Sequence, residues 1–518
     1  MQTSSTNTDV LIAGAGPTGL VLALWLTRCG VRVRIIDKTP EPGTTSRAIG
    51  VQARTLELYR QIGLADDVVA RGRRAVAANV WVSGRHVARA VFGDMGAGIS
   101  PYPYLLIFSQ DEHERLLIAR LHQIGVEIER RTELLDFEQA GGCVVARLKG
   151  SDGAVTRCAA AYVAGCDGAH SAVRETLNIG FTGGTYAHLF YVADVDGGGA
   201  VMNGELHVAL DATDFLAVFP LRGDRRGRLV GTVREEAEHQ HDNLTWSDVS
   251  KRVIDWMPLD IARVNWFSTY RVHHRVADQF RSGRAFLAGD AAHIHSPVGG
   301  QGMNTGIGDA VNLAWKLAAV VRGDAEQAIL DTYETERIAF ARRLVATTDQ
   351  AFTGVTSSSA FARALRLRIV PVLIPSLFAF RAIRRLAFRT VSQTAVNYRG
   401  SALSRGAAGP VQGGDRLPWV KTNAGDDRAD NFAPLTSIDW QVHVYGEAAP
   451  EVRVVCEQRR LPLHVFAWQP AMRRNGLRPN AVYLVRPDGY VALADRGRPT
   501  ANALASYLDA WKLSATRS

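Results

Sequence analysis

The 518 residues are 47% hydrophobic and 21% charged, with 48 glycines and 19 prolines; this excludes disordered, collagenous and fibrous classes and supplies apolar material for about three domains. Sixty Lys and Arg against 51 Asp and Glu give a formal charge of +9, and with the basic residues read as scattered, the surplus favours attraction of an anionic small molecule over a nucleic-acid face. Five cysteines, Cys29, Cys143, Cys158, Cys166 and Cys456, form no C-x-x-C pair, which argues against a disulfide framework or zinc ribbon and points to a reducing, cytoplasmic setting.

The first nine residues are polar and predict no secretory signal. An apolar run at 10–13 is followed at once by Gly14, Gly16 and Gly19, then by a helical apolar pattern that stops at Gly30. Residues 31–36 alternate arginines with β-branched residues and end on Asp37, so the segment reads strand, tight turn, helix, strand: one βαβ unit. A helical period returns at 54–64, a strand-like, Gly-punctuated pattern covers 79–106, and 111–124 is an amphipathic helix. Strands at 127–137 and 142–148 precede an apolar run at 159–164 that ends on Gly165, Cys166, Asp167 and Gly168. Many short alternating strands between 181 and 270, such as 215–221 and 228–233, predict an antiparallel sheet inserted into the nucleotide-binding part.

Another apolar strand, 285–288, ends on Gly289 and Asp290, and a Gly-rich loop then leads into a long helix over 303–321. Helices continue to about residue 389. Within them the apolar stretch 369–380 is too short to span a bilayer and reads as a buried helix, with contact at a membrane surface as the lesser alternative, while Arg363, Arg366, Arg368, Arg381, Arg384, Arg385 and Arg389 read as a solvated or interface face in preference to a membrane or RNA contact. The composition shifts near Gly413, Gly414 and Asp415, where a fresh βαβ-like pattern begins, and the domain boundary is placed at 401–410.

The chemistry sits in the glycine-rich turns. Gly14 can make the turn, Gly16 can let backbone approach a pyrophosphate, and Gly19 can let helix pack on strand, while Asp37 at the next strand end can accept ribose hydroxyls. Gly299, Gly300 and Gly302 allow backbone to approach a flat ring, and the helix start beyond them offers N–H groups and a positive dipole end to an anion. His293 with His295, and His273 with His274, lack Asp, Glu or Cys at ligand spacing, so no metal is expected. A G-x-S-x-G elbow is absent.

Taken with the first glycine motif, the segments 166–174 and 289–304 resemble the single-component, para-hydroxybenzoate-hydroxylase-like class A FAD monooxygenases, the flavin-dependent aromatic hydroxylases. Within them the chain is similar to the phenol and aromatic-polyketide branch, which carries a C-terminal thioredoxin-like domain. The resemblance implies an α/β fold: a Rossmann-like (GR2-type) FAD-binding domain with helical extension over 1–77, 107–178 and 276–400, an inserted antiparallel β-sheet substrate domain over 78–106 and 179–275, and a thioredoxin-like domain over 401–518. The last lacks the C-x-x-C of dithiol exchange and is expected to be structural or interfacial.

For the cofactor, the resemblance implies that Gly14, Gly16, Pro17, Thr18, Gly19, Asp37 and Lys38 hold adenosine and pyrophosphate, with Arg47 and Gln110 near the flavin. It assigns Asp167 and Arg174 to flavin and pyridine nucleotide, Gly289 and Asp290 to the ribityl chain, and Pro297, Gly300, Gly302, Met303 and Asn304 to the isoalloxazine loop. Arg47 and Pro297 are the catalytic candidates, although the flavin carries the chemistry; Phe215, Phe219 and Pro297 are the substrate candidates. One or two of Tyr102, Tyr104, Phe108, Tyr191, Trp266 and Phe267 are also expected at the pocket.

The implied activity is hydroxylation of a phenolic or polycyclic aromatic through a flavin hydroperoxide, with FAD reduced transiently by NADPH or NADH and then reacting with O2. Baeyer–Villiger-type oxygen insertion, a flavoprotein that binds an aromatic without turnover, and a flavin dehydrogenase that uses no oxygen stay open. The expected partners are thus a small aromatic, O2 and NAD(P)H, with a homodimer admitted, and neither nucleic acid nor stable membrane insertion.

Overall fold

The computed structural model describes residues 8–43, 48–211, 215–233, 244–295, 300–356, 369–422, 429–496 and 500–513. They form a mixed α/β fold with three large sheets and one small one. At the centre of the first sheet, Thr8–Ala13 lies between Val155–Gly165 and Val33–Asp37, parallel to both. Ala285–Leu287 adds on the far side of Val155–Gly165 and Ile128–Arg130 beyond Val33–Asp37, again in parallel. The three central strands are buried where they pair, over residues 10–13, 162–165 and 285–287, as suits strands inside a parallel sheet. The helix Pro17–Arg28 starts on Pro17, whose fixed φ suits the first helical turn, and is buried from Gly19 to Leu26. It packs against the helices Gln110–Gln123 and Gly302–Arg322.

The second sheet runs in the order His293–Ile294, Asp260–Ala277, Phe181–Gly198, Arg226–Thr232, Phe215–Pro220, Leu206–Leu210, Ala77–Val82, Arg85–Val91. Its neighbours are antiparallel except Leu206–Leu210 on Ala77–Val82. One end thus touches the nucleotide-type layer through His293–Ile294, and the other ends on the strand Arg85–Val91. Against that edge strand packs the helix Val370–Ala379, and the helix Arg381–Val391 packs in turn on that helix and on the short helix Phe92–Gly96. The stretch 369–380 is not the buried helix its composition predicts. Among the described residues it packs through Phe378, while Leu373, Leu377 and Phe380 stand exposed.

The third sheet has the order Val411–Gln412, Arg405–Ala408, Val491–Asp495, Val482–Val485, Gln441–Tyr445, Leu463–Phe466. It meets the rest of the molecule across a seam of buried charge. Glu57 accepts from Arg416 and Arg54 and from the Ser100 hydroxyl, and Arg60 pairs with Asp430 at 2.6 Å. Arg486 spans Glu336 and Asp488, and Lys316 reaches the same Glu336 at 2.9 Å. All five cysteines are unpaired.

Two buried histidines make the fold acid-sensitive. His113 meets the Tyr59 hydroxyl at 2.8 Å, and burial lowers its pKa to about 3. In the third sheet, His443 lies among Gln441, Tyr445, Phe466 and His464, and burial, reinforced by His464, also lowers it to about 3. No carboxylate is bonded to either ring among the described residues. Both stay neutral in the folded chain but take up a proton in the unfolded one as pH falls through the ordinary histidine value of about 6.5. Stability is therefore expected to drop by about 2–3 kcal/mol between pH 7.5 and 5.5, measured by urea unfolding, and replacing both rings with glutamine should flatten that slope.

Candidate active site

Three turns meet at one edge of the first sheet. Register places Ala13 beside Gly165 and Gly165 beside Leu287, so Gly14, Cys166–Asp167 and Gly289–Asp290 leave the carboxyl ends of three adjacent parallel strands. Ligands of open α/β sheets bind in the crevice there. Close approach is what the glycines permit: a Cβ on Gly14, at φ +100°, would sit 2.3 Å from the Cys166 carbonyl, and one on Gly19 would sit 2.0 Å from the Gly14 carbonyl. Gly16 differs, since nothing lies within 4 Å of its Cβ position, and the helix it opens carries no side-chain cap. An open backbone surface with uncapped N–H groups suits an oxyanion.

Asp37 closes the turn from the neighbouring strand. One carboxylate oxygen accepts from the Ala15 N–H at 2.7 Å, the other from the backbone and hydroxyl of Thr39, and Arg130 stands at 3.7 Å; Lys38 is exposed beside it. Asp167 accepts from the Val173 N–H with Oδ2, while its Oδ1 is buried with no protein hydrogen bond, and burial pushes its carboxyl above the usual range. A buried polar atom without a partner at the mouth of the strand ends fits a bound ligand. Arg174 clasps the turns together by donating to the carbonyls of Ala169 and Ala291, with its guanidinium over the Phe181 ring. Gln110 accepts from the Ala48 N–H and donates to Glu114, tying the segment after residue 47 to the helix Gln110–Gln123.

The Gly289 turn is held from below. Gly289 has φ +62°, and both its Cβ position and that of Gly306 fall within 2.5 Å of the Thr18 hydroxyl, so the helices Pro17–Arg28 and Gly302–Arg322 press on it from two sides. Asp309, fully buried, accepts from the Gly289 N–H at 3.0 Å, faces His293 at 2.7 Å and receives Arg337 at 2.5 Å. Burial works against its ionisation, but Arg337 and His293 outweigh it and hold the carboxyl low. Asp290 is exposed at the turn, consistent with a side chain aimed outward.

Asn304 is committed inside the protein. Its oxygen accepts from the Gln52 N–H and the Thr55 hydroxyl, and its amide donates to the carbonyls of Gly50 and Gly300. It fixes the Gly300 loop to the start of the helix Ala53–Gln61, and a ligand there would meet backbone and Met303 rather than the Asn304 amide. The helix Gly302–Arg322 has no side-chain N-cap, as the dipole argument requires. Arg47 and Pro297, with Gly299, lie outside the described residues.

A cavity of about 470 Å³ opens beside this loop. It begins at Gln52 and Ser392 and runs between the strand Arg85–Val91 and the helix Arg381–Val391, lined chiefly by apolar groups that include Phe92, Met95, Tyr104 and Phe388. Tyr104 is the one of the aromatics singled out by sequence that lines it. Phe215 packs instead with Phe190 and Tyr270, and Phe219 with Ile107 and Leu221, behind the wall. Sequence patterns gave no hint of Gln52 or Phe388 here, because their proximity depends on a helix some 290 residues downstream folding over an edge strand. Asp309 had a readable signal: Thr305, Asp309, Asn312 and Lys316 form a polar stripe on a helix otherwise apolar along that face. No group of three His, Cys, Asp or Glu suited to a metal occurs among the described residues.

Residues 7–348 match the family model described as "FAD binding domain". The chain is 36% identical over 517 residues to a 6-methylpretetramide 4-monooxygenase of Streptomyces rimosus, covering 93% of this chain and 90% of that one. Among solved structures, it is similar to an anhydrotetracycline hydroxylase from Streptomyces rimosus, with TM-score 0.77, 28% identity and coverage of 99% and 100%. A ternary complex of aklavinone-11 hydroxylase with FAD and aklavinone matches with TM-score 0.75 and 26% identity over 98% of this chain and 99% of that one.

Proposed function

The chain belongs to the FAD binding domain family, within the class A flavin-dependent aromatic monooxygenases, and from that premise we propose that it hydroxylates a polycyclic, polyketide-like aromatic with electrons from NADH or NADPH. The observation that carries the substrate reading is the apolar cavity of about 470 Å³ beginning at Gln52, next to the Gly300 loop. That volume lies in the ~300–1,000 Å³ range of pockets that enclose drug-sized ligands, and its lining suits fused rings.

FAD, when bound, supplies reduction by NAD(P)H and activation of O2. The protein's part is to bind, orient and keep water out. Gly14, Gly16, Pro17, Thr18, Gly19, Asp37 and Lys38 would hold adenosine and pyrophosphate; Gln110, Asp167, Arg174, Gly289 and Asp290 the middle of the cofactor; and Gly300, Gly302 and Met303 the ring, with Arg47 and Pro297 beside it. Asn304 positions that loop from behind. The division into a cofactor part (1–77, 107–178, 276–400), a substrate part (78–106, 179–275) and a thioredoxin-like part (401–518) is supported by the three sheets, which follow it except at the ends of the second, where Ala77, Val276, Ala277 and His293–Ile294 fall in the cofactor part.

The test is NAD(P)H oxidation by the purified protein with phenols, naphthols and tetracyclic polyketides, read with product mass. A product one oxygen heavier, with one NAD(P)H consumed per product, is expected from a fused-ring phenol. A ring-expanded lactone would move the reading to Baeyer–Villiger insertion, and absence of any aromatic-stimulated oxidation would leave a binding protein. Filling the cavity with Ala88→Phe should raise KM for the aromatic by at least ~10-fold, as a misfit of a few methylenes does, with flavin content unchanged.

A further inference from the structure

The positive charge of this protein is not scattered. Between Asp349 and Asp415 there is no Asp, Glu or Lys, and there are nine arginines; removing these nine from the 60 basic residues leaves 51, equal to the 51 acidic ones. The whole surplus of +9 therefore resides in one segment of the chain. Its described part holds the two helices Val370–Ala379 and Arg381–Val391 that cover the cavity; Arg363, Arg366 and Arg368 lie outside the described residues.

Among the described residues, that same segment carries the most exposed large apolar side chains. Leu386 is 64% and Phe380 63% exposed, and Ile369, Leu373, Leu377 and Val391 are exposed beside them. Among the described residues, none of Arg381, Arg384, Arg385 and Arg389 pairs with a carboxylate; Arg384 donates to the carbonyls of Phe378 and Ala379, and Arg385 to that of Ala97. Burial, then the neighbouring Arg381 and Arg389, lower the Arg385 pKa, a mutual repulsion that an anionic surface would relieve.

We propose that the face formed by the helices Val370–Ala379 and Arg381–Val391 docks peripherally on an anionic lipid surface, arginines on the headgroups and Leu377, Phe380 and Leu386 among the acyl chains. Exposed apolar residues interleaved with unpaired guanidiniums are the chemistry of an interfacial helix. A phosphodiester backbone would use the arginines but has no use for the aliphatic side chains, and single-stranded nucleic acid calls for a row of exposed aromatics, of which Phe380 alone is present among the described residues of this face. The contact is superficial: no helix among the described residues is long and apolar enough to cross a membrane. Phe378, Ala379, Ala387, Phe388 and Val391 of these helices line the cavity, so docking would set its wall against lipid, where a fused-ring substrate dissolves. This last consequence rests on the cavity being the substrate site; the docking itself does not.

The experiment is co-sedimentation of the full-length, FAD-loaded protein with vesicles of phosphatidylcholine alone and of phosphatidylcholine mixed with phosphatidylglycerol. Binding to the mixed vesicles, weakened by salt, and none to the neutral ones is the expected result. At ~1 kcal/mol per basic residue near such a surface, Arg381→Gln with Arg389→Gln should lower the partition coefficient about 25-fold. Phe380→Ser with Leu386→Ser should lower it at least ~10-fold, and both pairs, being exposed, should keep flavin content and turnover of a water-soluble substrate. Absence of binding to anionic vesicles overturns the proposal. So does vesicle-independent self-association, or binding to homopolymeric RNA, if that is what the same substitutions abolish while vesicles are ignored. Failure to hydroxylate any aromatic would leave the vesicle result standing, so the two readings fail separately.

Discussion

Replacing Glu336 with glutamine is expected to lower the free energy of unfolding by about 3–5 kcal/mol, seen as a drop in the urea midpoint. The carboxylate is fully buried and serves four partners at once: Arg486 at 2.7 and 3.0 Å, Lys316 at 2.9 Å, Asn312 at 2.6 Å and the Ser401 hydroxyl at 2.7 Å. Burial opposes its ionisation, but Arg486 and Lys316 hold it well below the usual carboxylate range. Glutamine keeps the volume and one accepting oxygen while removing the charge. Arg486 then keeps Asp488, but Lys316, whose ammonium burial already pulls down to about 8, loses its one direct anionic partner. Because volume is retained, the loss measures the charge together with the one accepting oxygen that becomes a donor among donors. A change below about 1 kcal/mol would mean that the seam is held by packing and not by its ion pairs.

Asp309→Ala should release flavin. Three groups depend on this one carboxylate: the Gly289 N–H, His293 and Arg337. Without it Arg337 is left as a buried cation with only the Tyr398 hydroxyl and the Thr305 carbonyl, a loss of about 3–5 kcal/mol. The Gly289 turn would also lose its anchor, and Asp290 with it. The expected result is protein purified largely colourless, regaining its yellow absorbance only with a large excess of FAD. Asp309→Asn, which can still accept from Gly289, should retain more flavin than Asp309→Ala. Equal retention in wild type and both variants would show that the turn is held by Thr18 and the two helices alone.

What the sequence made legible follows from range. Gly14, Gly16, Gly19 and Asp37 lie within one βαβ unit, so local pattern sufficed to place them, and the strand-to-turn character of 159–168 and 285–290 was equally local. That these three turns would be neighbours came from the family resemblance; the pairing of Ala13 with Gly165 and of Gly165 with Leu287 gives the physical reason. The cavity was not legible. Its walls come from residues 52, 78–105 and 378–392, brought together by a helical hairpin on a sheet edge, and periodicity says nothing about which edge a hairpin covers. The same limit explains Phe215 and Phe219, whose apolar alternation is that of any strand in a packed sheet. Apolar composition alone misassigned 369–380 as buried, because composition does not say whether one side of a helix or both will find a partner.

The register of the first sheet has a consequence for synthesis. Ala13 reaches the ribosome exit early, but its neighbour Gly165 follows about 150 residues later and Leu287 about 120 after that. At ~5–20 residues per second, the strand Thr8–Ala13 waits about 15–50 s for the last member of its triplet to be made. During that interval Val10, Leu11 and Ile12, which end fully buried, are flanked only by the earliest parts of their final surroundings. A nascent chain stopped before residue 285 should therefore stay bound to chaperones and take up no flavin, whereas one carried past the helix Gly302–Arg322 has every strand end the cofactor needs.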